Sequence, residues 1–188
     1  MNKSGAANGG SAEAVSSAKY GGGGAQPASV AIRKAVADDV PLVLRLIREL
    51  AIYEKLIDEV VATEDALRRT LFPANGEPPA AHVLIGEVDG KPSGFALYFF
   101  NYSTFLAKPG LYLEDIFVVP ESRRRGLGRA LLLHVARLAR DRGCGRVEWS
   151  VLDWNEPARK FYGSLGAVPQ DEWTVFRLTG ATLRDLGD

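Results

Sequence analysis

The stretch "VVPESRRRGLGRALLLHVARLAR", residues 118–140, joins a strand-like apolar run to a helix through three arginines and two glycines. A helix leaves its first four N–H groups without intrahelical partners and carries about half a positive charge at that end. Arg123, Arg124 and Arg125, beside a turn opened by Gly126 and Gly128, therefore mark a place where a polyphosphate can approach the backbone. Two common phosphate loops do not fit. A nucleoside-triphosphate loop needs lysine and Ser/Thr after its last glycine, and "GLGRA" has neither. A dinucleotide turn needs Gly-x-Gly-x-x-Gly, but its third position is Leu131. Glu148 lies at the offset of a ribose-binding carboxylate, yet it falls early in its strand, and that carboxylate belongs at a strand's carboxyl end.

Working outward, "LYLEDIFVV" (111–119) alternates as a strand, and "HVLIGEV" (82–88) and "SGFALYFFNY" (93–102) flank the hairpin signal Asp89–Gly90. Further upstream, "SVAIRKA" (29–35) reads as a strand. Val40, Val43, Leu44, Ile47, Leu50 and Ala51 then recur at helical spacing, with Asp38 or Asp39 as cap and Pro41 in the first turn. A second short helix follows Thr63, and "PANGEPPA" (73–80) and "STFLAKPG" (103–110) read as loops. Downstream, the spacing predicts a helix from about Gly128 to Arg142, stopped by Gly143, and then a strand "RVEWSVL" (146–152). A short helix over "NEPARKFYGSLG" (155–166), opened by Asn155 or Glu156, precedes a final strand "EWTVFRL" (172–178). Only the strands 111–119 and 146–152 are joined by a helix long enough for a crossover, so only they need to be parallel. The predicted class is α/β, with a single mixed, mostly antiparallel sheet flanked by helices.

The 188 residues, 46% of them hydrophobic and 24% charged, suit one globular domain over residues 31–188. The first thirty residues hold seven of the twenty glycines, with much Ala and Ser; this arm, 1–30, is expected to be disordered. Twenty-three basic and twenty-three acidic side chains balance, which argues against a nucleic-acid footprint or a polybasic membrane patch. There is no secretory apolar segment and no run of ~20 apolar residues, so the expected address is the cytoplasm. Cys144 is the sole cysteine and His82 and His134 stand far apart, so no internal disulfide and no metal site are expected; all three read as structural.

The turn Arg123-x-x-Gly126-x-Gly128 between a strand and a helix resembles that of the GNAT acetyltransferases. "RLIRELAIYEK" (45–55), "LYLEDIFVVPESRRRGLG" (111–128) and "VLDWNEPARKFYGSLGA" (151–167) resemble, in order, segments of the diamine acetyltransferase branch and its thialysine-acetylating members. The resemblance implies a GNAT fold in which the strands 111–119 and 146–152 splay apart. It implies acetyl transfer from acetyl-CoA to a primary amine of a small molecule, a thialysine-like amino acid or a polyamine, and a homodimer. The alternative function is a coenzyme A-binding sensor or assembly module without turnover. "NYST" (101–104) carries Ser103 where polyamine-acetylating relatives have aspartate, which favours the thialysine-type acceptor.

By the same resemblance, the backbone of Ile116, Phe117 and Val118 pairs with pantetheine, and Arg123, Arg124, Arg125, Gly126, Leu127, Gly128 and Arg129 surround the pyrophosphate. Asn155 and Ala158 match further coenzyme-contacting positions. Arg124 replaces a glycine, so a positive φ there is expected to be lost. Tyr162 matches the general acid, with a pKa near 10 that keeps its proton at pH 7. Neighbours on a strand face opposite sides, so only one of Glu114 and Asp115 can face the cleft; the resemblance selects Glu114 as a base candidate, and Asp115 then reads as a structural hydrogen-bonding residue. Glu54 is a further base candidate. Tyr53, Glu54, Glu114, Glu148, Trp149, Ser150 and Glu172 match substrate-contacting positions, where acidic groups suit a cationic amine.

Overall fold

The computed structural model describes residues 13–14, 28–74 and 76–186. The chain divides after Trp149 into two compact units. In the first, six strands run in sheet order β1 to β6: β1 (Glu13–Ala14), β2 (Val30–Lys34), β3 (His82–Val88), β4 (Lys91–Ser103), β5 (Lys108–Val118) and β6 (Val147–Glu148). All neighbours are antiparallel except β5 and β6, the mixed sheet expected of the sequence. The expected disorder of residues 1–30 lies mostly outside the described residues; within that range Glu13–Ala14 pairs with β2, and Val30 already opens β2.

Helix α1 (Val40–Glu54) buries Val40, Val43, Leu44, Leu46, Leu50 and Ala51, close to the predicted stripe. Asp39 is its cap residue; its carboxylate turns back to the Val36 N–H at 2.8 Å and to Arg33. Helix α2 (Glu64–Leu71) is capped by Thr63, whose Oγ1 accepts the Ala66 N–H at 3.2 Å. Both pack on one face of the sheet, with Val43, Leu46, Leu50 and Leu71 against Val83, Ile85, Phe95 and Phe117. Alternation sends Gly86 and Gly94 to the other face, where α3 (Leu127–Asp141) lies. Asp89 and Gly90, at φ +51° and +73°, make the two-residue hairpin turn between Val88 and Lys91. Gly143, at φ +71°, ends α3 as expected.

Three expectations are corrected. The strand predicted over 146–152 shrinks to Val147–Glu148, whose partners are Leu111 and Tyr112, with the Arg146 carbonyl accepting the Leu111 N–H at 3.1 Å. Part of the predicted loop 103–110 belongs to β5, which starts at Lys108. The final strand does not form. Trp173, Val175, Phe176 and Leu178 are exposed, and without a partner strand an alternating segment has nothing to pair its N–H and C=O groups with. The second unit instead holds α4 (Glu156–Ser164) and an unpredicted α5 (Gly180–Asp185).

Candidate active site

The arginine loop is fixed by what lies beneath it. Gly86 and Gly94 are register partners, and Leu127, the first residue of α3, sits in the hollow they leave. A Cβ on Gly86 would come within 2.6 Å of Leu127 Cδ1, and one on Gly94 within 2.4 Å of the Phe117 carbonyl oxygen. Two absent side chains thus set the start of α3 close against β3 and β4. Gly126 caps the helix at φ +87°, and space in front of it is open: a Cβ there would meet nothing within 4 Å. At Gly128 the nearest neighbour would be Val118 Cγ2 at 3.7 Å. An anionic group can therefore reach the loop and the first N–H groups of α3, which is the fit a coenzyme A pyrophosphate requires.

The three arginines are not equivalent. Arg123 folds back, donating from Nε to the Val118 carbonyl at 3.0 Å and placing its guanidinium 4.5 Å from the Tyr53 ring centre. Arg125 is paired with Asp89 of the hairpin turn. Arg124 and Arg129 make no ion pair among the described residues, and these two are the loop's uncommitted cations. Arg124 retains a positive φ of +60°, contrary to the expectation that an arginine there would lose it. The turn needs that conformation, and the side chain bears a strain of about 1–2 kcal/mol.

β5 carries the other half of the site. Its ladder with β6 consists of Leu111↔Val147 and Tyr112↔Glu148, so on that side, among the described residues, no strand pairs with Leu113 to Val118, the splay implied by the resemblance. Ile116, Phe117 and Val118 lie in this stretch, partnered on their inner side by Ala96, Phe95 and Gly94. Leu97 faces Asp115 while Tyr98 faces Leu113, which makes Glu114 the extra residue of a β-bulge. The bulge interrupts the strict alternation expected across Glu114 and Asp115. Glu114 is exposed, whereas burial raises Asp115 to a pKa of about 7, helped by the charges of Glu114 and Glu54. No hydrogen bond within the described residues offsets these effects at Asp115, so the structural hydrogen-bonding role expected of it is not seen there. Glu54, at the end of α1, is also raised by burial.

The remaining predicted positions are spread more widely. Tyr53 packs its ring against Phe117 at 6.5 Å and under Arg123. Glu148 is engaged by Arg146 at 2.8 Å and by Asn101 Nδ2 at 3.4 Å. Trp149 follows the short β6 and ends the first unit. Ser103 is buried in the β4–β5 turn and accepts the Leu106 N–H at 3.4 Å, so its hydroxyl serves the turn. In the second unit Ser150 is exposed, as is Glu172. There Asn155 caps α4, its Oδ1 accepting the Ala158 N–H at 3.3 Å, and Tyr162 follows one turn further along, its ring 5.4 Å from Phe161. Among the described residues no three His, Cys, Asp or Glu side chains gather as a metal site, and no helix is long and apolar enough to cross a membrane.

The fold and the arginine–glycine loop define an acyl-coenzyme A transferase architecture, and comparison with known proteins specifies it. The Acetyltransferase (GNAT) family profile matches residues 49–167. A thialysine N-epsilon-acetyltransferase of Bos taurus is 44% identical over 170 residues, covering 85% of this chain and 98% of that protein. An L-ornithine N5-acetyltransferase of Arabidopsis thaliana is 36% identical over 199 residues, covering 82% of this chain and 86% of that protein. An integron cassette protein from the mobile metagenome of V. cholerae superposes with a TM-score of 0.69 at 27% identity, over 84% of this chain and 97% of its own. The chain belongs to the GNAT acetyltransferase family. It is an acetyl-CoA-dependent N-acetyltransferase acting on amines, and a non-catalytic coenzyme A-binding module is not favoured.

Proposed function

We propose that the acceptor is a small amino acid ending in a primary amine, of the thialysine or ornithine type. The observation that carries this is the near full-length similarity to relatives whose names specify such acceptors. The structure adds three carboxylates, with the charges of Glu54 and Glu114 both acting on Asp115, a grouping that suits a cationic amine.

In this reading the Glu114–Asp115 pair takes the proton from the ammonium, freeing a lone pair to attack the thioester carbonyl. Asp115 holds that proton, because a pKa of about 7 matches a base working near neutrality. The Ile116 N–H donates to the carbonyl oxygen as negative charge develops, and the Tyr162 hydroxyl donates to the departing thiolate. A phenol near 10 is a weaker acid than a thiol near 8.5, by about 2 kcal/mol, so Tyr162 acts as a hydrogen-bond donor before solvent completes the transfer. Gly126, Leu127 and Gly128 present backbone to the pyrophosphate, with Arg124 and Arg129 as its charge partners. Arg123 and Arg125 brace the loop through Val118 and Asp89. Asn155 and Ala158 order the helix that carries Tyr162.

The acceptor test is a steady-state screen of thialysine, ornithine, lysine, spermidine and spermine with acetyl-CoA, followed by thiol release. A higher kcat/KM for spermidine than for every amino acid removes this acceptor assignment while leaving acetyl transfer in place. We infer further that the protein works in the cytoplasm as a homodimer. The exposed, strand-patterned run Trp173–Leu178 supports the dimer, since a second copy would cover its apolar side chains. Phe176→Asp then yields a monomer in sedimentation; an unchanged mass assigns this run another role.

A further inference from the structure

At the opposite end of α3 from the glycine loop, about 22 Å away for a 15-residue helix, lies a separate cavity of about 190 Å³. The rings of His82, Tyr98 and Phe100 form one wall, with centroids 5.3 to 5.9 Å apart. Arg142 lays its guanidinium 4.1 Å above Phe100, and Lys34 stands at the rim from the end of β2. No Asp or Glu lines the cavity, and neither cation has an ion-pair partner among the described residues. Both cations act on the same point: after burial, Arg142 and Lys34 are the causes that lower the His82 pKa. The C-terminal ends of α2 and α3 bring partial negative charge of about half a unit each, which two full cations outweigh.

An arginine stacked on a ring keeps its in-plane N–H groups free for a carboxylate, and a planar guanidinium receives one bidentately. An apolar cavity of about 150 Å³ accommodates benzene, so about 190 Å³ holds one ring or a short aliphatic body. We propose that this cavity is a second binding site, distinct from that of acetyl transfer, for a small monocarboxylate with an apolar body: the carboxylate on Arg142 and Lys34, the body against Tyr98. Such a ligand would sit where β2, β3, β4 and α3 come together, and the far ends of β3, β4 and α3 seat the glycine loop.

Benzoate is the probe and benzamide its neutral counterpart, titrated by calorimetry into the full chain saturated with coenzyme A. The expected result is one benzoate per chain with coenzyme A present, and benzamide weaker by about tenfold or more, the loss of one charge-assisted interaction. Arg142→Gln and, independently, Lys34→Gln weaken benzoate by about tenfold while kcat/KM for the amine stays unchanged. Lys34 is exposed at a strand end, so its substitution leaves the fold intact even if the helix-capping Arg142 does not tolerate change. Benzoate that competes with coenzyme A, binds no better than benzamide, binds both variants as well as the parent, or fails to bind at about 10 mM overturns the proposal.

Discussion

Replacing Asp115 by asparagine should make the protein more stable at alkaline pH, by an amount that the site itself fixes. In the unfolded chain this carboxyl titrates at its ordinary value of 3.8, whereas burial, Glu114 and Glu54 raise it to about 7 in the fold. Below about pH 4 both states hold the proton, and the group costs nothing. Between about pH 4 and 7 the unfolded chain gives up its proton while the folded one keeps it, so stability falls as pH rises. Above about 7 both are ionised and the full penalty is present. At 1.36 kcal/mol for each pK unit, the distance from 3.8 to about 7 amounts to about 4 kcal/mol. Asparagine of the same shape has no charge to bury, so Asp115→Asn should match the parent near pH 4 and exceed it by about 4 kcal/mol at pH 8.5. Urea denaturation across that range reads the difference: at about 2 kcal/mol per molar, the midpoint rises by about 2 M. Glu114→Gln should relieve part of the same penalty, since its charge is the second cause of the rise. Parallel stability profiles for parent and Asp115→Asn would refute the account, because they would mean that the carboxyl titrates alike in both states.

The same variant should lose most of its kcat and the acidic limb near pH 7 in kcat/KM; retention of that limb would transfer the proton-accepting role to Glu114 or Glu54. Tyr162→Phe is expected to lower kcat about 10²–10⁴-fold with acetyl-CoA affinity largely kept, and full activity with chemistry rate-limiting would reduce Tyr162 to packing. Gly126→Asp, at φ +87° and facing open space, should fold but bind coenzyme A far more weakly in calorimetry, through charge and backbone strain; unchanged affinity would displace the pyrophosphate from this loop. Arg124→Gly should gain about 1 kcal/mol in urea melts by relieving the left-handed backbone, while weakening coenzyme A about tenfold through the lost cation. Gly94→Ala should cost about 1–3 kcal/mol, since its Cβ would meet the Phe117 carbonyl at 2.4 Å, and a neutral result would show that β4 and β5 can part there.

The sequence by itself determined the elements and the chemistry that is local. The 3.6-residue apolar stripe of α1, the Asp89–Gly90 turn, the Thr63 and Asn155 caps and the run from Arg123 to Gly128 are decided within a few residues, because backbone sterics and helix-end hydrogen bonding act over one turn. Tertiary structure decided whatever depends on partners distant in the chain. Which arginine stays uncommitted depends on Asp89 and Tyr53. The seat of α3 depends on two glycines facing each other across β3 and β4. Trp173–Leu178 alternates like a strand, yet alternation names a face and not a neighbour, and among the described residues this run forms no strand. Asp115 is the sharpest case: one extra residue at Glu114 ends the strict alternation, and burial together with the charges of Glu114 and Glu54 raises its pKa to about 7. Periodicity records which side chains prefer apolar surroundings; only the pairing of strands fixes which charges share them.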